Sequence, residues 1–200
     1  MDTTQRTEAL REAMAKGQTY EAYSAMNKVM AKEGTTTGPQ KPSYVEYTKL
    51  SAARMRRWEK TYKPAQNTLD NMSSRTSENE QWLLFSETWC GDVAHSLPFI
   101  AKWAEHAGVD LRIILRDENT ALMDEFLTSG GRSIPKLVRL NENFDVLGTW
   151  GPRPTPLMEE YAKWKAEPEF DYKEWTLFAQ DWYNKDKGAS LEEDFMTLLG

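Results

Sequence analysis

One cysteine, Cys90, is all that the 200-residue chain carries. A single thiol excludes any intramolecular disulfide and any zinc site built on cysteine pairs. Long apolar runs are missing as well. The longest, Trp82-Leu83-Leu84-Phe85, falls far short of the roughly 20 residues that cross a bilayer. No membrane partner is expected. The opening MDTTQRTEALREAM has no apolar stretch after a basic start, so no secretory leader is read and a cytoplasmic location is expected. Histidine is scarce: His95 and His106 have no third ligand type at metal-binding spacing, and no metal or other cofactor is expected. Basic residues are outnumbered, 25 against 31 acids, for a net charge of -6 with the signs interleaved. Such a surface offers nothing broad for a phosphate backbone, and nucleic acid is not expected as a partner. Gly130-Gly131 lacks the Gly-Lys-Ser/Thr ending of a phosphate loop and reads as a helix stop.

What is present is a globular composition, 40% hydrophobic and 28% charged, at the size of one domain with extensions. Three sections follow. Residues 1–75 read as an N-terminal helical extension. Thr19 is placed to cap a helix ending near Gly34, TTTGPQKP reads as a connector, and Ser43 with Glu46 forms a capping box. Tyr47, Ser51, Met55, Trp58 and Tyr62 then share one helix face, and Pro64 breaks that helix. Residues 166–200 read as C-terminal helices packing on the core: Trp175, Phe178 and Trp182 share a face, and Ser190 with Glu193 caps the last helix. Thr155 before Pro156 opens the helix that leads into them.

Between them, residues 76–165 alternate. Gln81 to Ser86 and Leu111 to Leu115 are short apolar runs of strand type, separated by helical spacing at Val93, Leu97, Ile100, Ala101 and Ala104. Asp117 or Asn119 begins a further helix through Leu122 and Phe126. Ile134 to Leu140 and Phe144 to Trp150 are strands joined by a tight turn at 141–143. The order β-α-β-α-β-β predicts an α/β fold with parallel pairing across the crossovers and an antiparallel hairpin at the end, a mixed sheet flanked by helices.

Trp89-Cys90-Gly91 stands at the first strand-to-helix junction, with Pro98 inside the helix, and Ser133-Ile134-Pro135 precedes the third strand. These two motifs, in this order and at this separation, resemble the thioredoxin family. The resemblance covers about residues 76–165 and implies a thioredoxin-like fold with Ile134-Pro135 as a cis-proline loop facing Cys90. The flanking helices and the Trp150-Gly151-Pro152-Arg153-Pro154 loop also look like those of a bacterial branch of that family.

Two departures stand beside the match. The position three residues after Cys90, a second cysteine in thioredoxin, is Val93, and the position of thioredoxin's buried acid is Leu84. A dithiol cycle cannot run within this chain. Cys90 at a helix N-terminus gains from the helix dipole as thiolate, while Glu87 and Asp92 oppose that charge. Exposure and some thiol reactivity are expected there. His95, five residues on and on a different face, is expected at the surface rather than as a base for Cys90. A substrate segment would lie along Ile134-Pro135, rimmed by Trp89, Gly91, Asp92, Trp150, Gly151 and Arg153, although Trp150 could equally be packing and Arg153 a solvated surface charge. Two functional classes remain open. One is a monothiol thiol-disulfide oxidoreductase acting through Cys90 on a protein disulfide or a low-molecular-weight thiol such as glutathione, with an outside thiol resolving the adduct. The other is a catalytically inactive binding or interaction module on the same fold. The sequence sets no oligomeric state.

Overall fold

The computed structural model describes residues 1–200, and its centre is a four-stranded sheet in the order β2-β1-β3-β4. Strand β1 (Gln81–Ser86) is almost wholly buried, which its unbroken apolar run requires of a strand covered on both faces. It pairs parallel with β2 (Asp110–Leu115), Leu83 opposite Arg112. On its other side β3 (Lys136–Leu140) runs antiparallel, Leu83 opposite Val138. β4 (Val146–Trp150) closes the sheet as an antiparallel hairpin partner of β3. The mixed α/β sheet is therefore the one foreseen, with one correction. β3 is not parallel to its neighbour, because the chain leaving β2 turns back through a short helix without crossing over to the sheet's far end.

Four helices precede the sheet: α1 (Thr3–Lys16), α2 (Tyr20–Glu33), α3 (Pro42–Thr61) and α4 (Gln66–Arg75). Within the sheet region lie α5 (Gly91–Ala107) and the short α6 (Thr120–Met123); α7 (Thr155–Ala166), α8 (Tyr172–Asp186) and α9 (Ala189–Leu199) follow. Thr19 caps α2 through a bond from the Ala22 amide, and Gly34 ends it in the left-handed conformation. Three other starts differ from the sequence expectation. Pro42 itself occupies the first turn of α3, so Ser43 and Glu46 lie inside the helix and form no box. Thr155 is likewise the first residue of α7, behind Pro154. Gly188 stands at the cap of α9, and Ser190 bonds Asp186 instead.

Helix α5 packs against both α3 and α4, so the N-terminal helices bury the helix that carries the cysteine junction. Gln18, between α1 and α2, exchanges two 2.8 Å backbone bonds with Ile113 and covers the open edge of β2. Buried side chains of α1–α4 and α9 share one cluster of 36 residues with the sheet. Leu157, Trp175, Ala179 and Tyr183 of α7 and α8 form a separate small cluster. A buried ion pair, Arg139 with Glu80 at 2.6 and 2.9 Å, fastens β3 beneath β1, and the Trp82 indole also donates to Glu80.

A buried knot of hydroxyls ties the connector after α2 to the turn before Cys90. The Thr88 Oγ1 lies 3.2 Å from those of Thr37 and Thr48, and Thr36 meets Thr48 at 2.7 Å. Asn27 donates to the Thr88 carbonyl, and the Thr88 amide donates to Thr37. The loop that presents the cysteine is thus fixed from the N-terminal extension.

Candidate functional site

Strand β1 ends at Ser86, the chain turns through Glu87–Trp89, and Cys90 becomes the N-cap of α5 with its amide bonded to the Glu87 carbonyl at 3.1 Å. Opposite it, the Cys90 thiol donates to the Ile134 carbonyl at 3.4 Å. The Ile134-Pro135 and Gly151-Pro152 peptides are both cis. Gly151, at φ +112°, passes so close to the Pro135 carbonyl that any Cβ would collide with it. The two loops are locked together under the cysteine.

The expected exposure of Cys90 is not what the fold produces. The residue is 6% exposed, because α3 and α8 close over the junction. Burial, with the Asp92 carboxylate adding to it, pushes the thiol pKa up to about 12. The Val93 and Asp92 amides and the Arg153 guanidinium pull the other way and do not outweigh it. A dipole argument from a helix terminus fails here since it takes no account of what the rest of the chain lays on top.

Between the two helices and the junction lies a chamber of about 400 Å³. Helix α3 contributes Tyr44, Tyr47, Leu50 and Arg54; α8 contributes Tyr172, Trp175, Leu177, Gln180 and Tyr183. Trp89, Cys90, Gly91, Asp92, His95 and Arg153 form its floor. Trp89 is stacked on Tyr44 at 4.5 Å, with the Arg116 guanidinium 5.1 Å from its ring centre. Asp92 binds Arg153 at 2.8 Å and accepts the Tyr183 hydroxyl at 2.9 Å. Arg153 is a largely buried cation lying over the rings of Tyr161 and Trp175, not a solvated charge. Burial alone would weaken its charge, but Asp92 holds its pKa above the ordinary value.

His95 is also buried, at 4% exposure, and the surface position expected for it is wrong. The imidazole lies flat on Tyr183 at 4.3 Å. Its Nδ1 accepts from the Trp58 indole at 2.9 Å, which leaves Nε2-H to donate to Gln180 at 3.1 Å. Helix α8 is therefore pinned to α5 by polar bonds as well as by aromatic packing. Tyr183→Phe is expected to lower the unfolding free energy by about 2 kcal/mol in urea titration, the worth of a hydrogen bond to a buried charge.

Of the residues named from sequence, Trp89, Cys90, Gly91, Asp92 and Arg153 meet at the chamber, and Ile134 reaches the thiol through its carbonyl. Pro135 and Gly151 lie in the locked loops beneath it. Trp150 does not line the chamber: its indole donates to Asp194 and its ring packs on Phe195 at 5.6 Å. Sequence reasoning missed the whole roof. One signal for it was available, since Leu50 and Leu177 interrupt the polar faces of their helices, and both are exposed at the chamber mouth.

A family model described as thioredoxin matches residues 38–165, and so takes in α3 along with the sheet. No curated protein matches the chain. Among solved structures, a protein of unknown function, PA1234 from Pseudomonas aeruginosa, is similar with a TM-score of 0.62 at 16% identity, 94% of this chain and 95% of that one being covered. An HIV epitope-scaffold is similar with a TM-score of 0.58 at 17% identity, over 94% of this chain and 96% of its own. At such identities these two likenesses speak for the fold alone, helical extensions included.

Proposed function

The chain belongs to the thioredoxin family, and from that premise we propose that it is a small-molecule binding member of the family, with the chamber over Cys90 as the binding site and no thiol-disulfide turnover. The observation that carries this reading is the roof. Helices from both extensions enclose the cysteine in a space of ligand size, lined by aromatic and aliphatic side chains with a few polar groups among them. Protein disulfides need an open approach to sulfur, and here the thiol is buried, protonated and turned to the Ile134 carbonyl. The missing second thiol agrees, because nothing within the chain could release a mixed disulfide.

Monothiol exchange with a low-molecular-weight thiol such as glutathione is the second reading. It draws on the Asp92 and Val93 amides and Arg153, all of which favour a thiolate at Cys90. One pair of experiments separates the two. Under oxidised glutathione near neutral pH, intact-mass measurement is expected to show no Cys90 adduct. 8-Anilino-1-naphthalenesulfonate is expected to brighten on the native protein and to be excluded by Thr176→Trp, which fills the chamber from the half-buried side of α8. A glutathione adduct that free glutathione then removes would establish exchange instead, and dye binding unchanged by Thr176→Trp would remove the chamber as the site.

A further inference from the structure

The chamber is not merely apolar, and its charges do not balance. Its lining holds two guanidiniums, Arg54 and Arg153, and one carboxylate, Asp92. Asp92 is spent on Arg153 and Tyr183. Arg54 lies with Nη1 about 3.0 Å from where a Cβ on Gly91 would stand, directly against the first residue of α5, and has no carboxylate within ion-pair distance and no hydrogen bond. His95 adds no acceptor, both ring nitrogens being engaged with Trp58 and Gln180. The neighbouring walls are also short of acceptors, since the Trp89 Nε1 and the Arg153 Nε are buried without one. The unmatched charge is a single positive one, on a half-buried, preorganised donor fork.

The mouth has the opposite chemistry. Leu177 is 66% exposed, Tyr172 53%, Leu50 47% and Tyr47 37%, and these four stand together around one opening. Isolated exposed apolar residues are ordinary, but a ring of them at the entrance of a cavity marks a site for an apolar body.

Building on the binding reading above, we propose that the ligand is an amphipathic carboxylate, its anionic head seated on Arg54 beside Cys90 and its aliphatic or aryl tail held by Tyr47, Leu50, Tyr172 and Leu177. The head group is a monoanion because one positive charge is unpaired, and a doubly charged phosphate would exceed it and press on Asp92. A neutral ligand would leave the Arg54 donors unmatched when the mouth is covered, and a cation would meet a guanidinium. Cys90 serves as part of the wall and undergoes no covalent step.

The test compares three probes of eight carbons each: octanoate, 1-octanol and octylammonium. Binding to the native protein is followed near pH 7 by calorimetry and by the change in tryptophan emission, to which Trp89 and Trp175 in the site contribute. Octanoate is expected to bind about tenfold or more tighter than octanol, the worth of one charge-assisted contact, with octylammonium weaker than either. Arg54→Met is expected to bring octanoate down to the affinity of octanol and leave octanol unchanged, and Arg54→Lys to keep part of the difference. Equal binding of octanoate and octanol by the native protein would overturn the head-group assignment while leaving the chamber as a binding site. Preference for octanoate that persists in folded Arg54→Met would overturn the role of Arg54. Failure of every probe to bind would overturn both this inference and the reading on which it rests.

Discussion

Folded Cys90 is expected to react with iodoacetamide near pH 8 at least about thirtyfold more slowly than the same residue in urea. Raising a thiol pKa from 9.0 to about 12 reduces the thiolate present near pH 8 by about a thousandfold. A more basic thiolate is the better nucleophile, with a Brønsted slope of about 0.4–0.5, and regains about fifteen- to thirtyfold. About thirty- to sixtyfold remains, and burial at 6% exposure slows the reagent further. The sign of the pH dependence follows from the same shift. The folded thiol stays protonated above pH 9, so its rate keeps climbing with pH where the rate in urea levels off. Asp92→Asn removes the second cause of the shift and frees Arg153 to face the sulfur, and is expected to speed alkylation by about threefold for each unit by which the thiol pKa falls. A native rate that levels off below about pH 7.5 would mean an activated cysteine and would return the exchange reading to first place.

The contrast between this cysteine and the one the sequence suggests shows where local reasoning stops. The junction itself was readable: an apolar strand ending at Ser86, a helix with apolar spacing from Val93, and Trp89-Cys90-Gly91 between them. So was the partner loop at Ile134-Pro135, which the fold brings to within a hydrogen bond of the thiol. Both are set by neighbours within a few residues, or by a family resemblance that spans the β-α length between them. The direction of β3 was not readable, because hydrophobic patterning fixes which face a strand presents and leaves its polarity open.

The roof belongs to a different class of information. Nothing around Cys90 announces that residues 44–54 and 172–183 will meet above it. Arg54 looks like any solvated charge on a helix with two further arginines nearby, Arg56 and Arg57. Only the docking of α3 on α5 turns it inward over Gly91. His95 fails for the same reason. Its helix places it away from Cys90 as expected, but the face it occupies is covered by Trp58 from one extension and by Gln180 and Tyr183 from the other. Long-range contacts also account for the buried acid at Glu87. Glu87 accepts the Asp117 amide, and burial raises its pKa.

That covering of His95 yields the second large effect, a loss of stability in mild acid carried by one residue. Burial, and then the nearby Arg54 and Arg57 guanidiniums, push the His95 pKa down from 6.5 to about 3. The unfolded chain takes up a proton below pH 6.5 and the folded protein does not until about pH 3, so the unfolded state binds more protons throughout that window. Stability from this group is complete above pH 6.5 and falls as pH drops through the window. Between pH 7 and pH 4 the native protein is expected to lose about 3 kcal/mol more than His95→Gln in urea titrations, at about 1.4 kcal/mol for each pH unit below 6.5. Glutamine offers one acceptor to Trp58 and one donor to Gln180 but does not titrate, so the comparison isolates the proton from the packing. The loss is tied to the chamber through geometry. A protonated Nδ1 cannot accept the Trp58 indole N-H, and the ring that Tyr183 lies on becomes a cation beside two arginines. Helix α8 would then loosen from α5 before the sheet unfolds, and dye binding in the chamber is expected to vanish at a higher pH than the far-ultraviolet signal of the native fold. Coincident loss of the two signals, or an equal acid sensitivity in His95→Gln, would show that His95 holds no special place in keeping the roof closed.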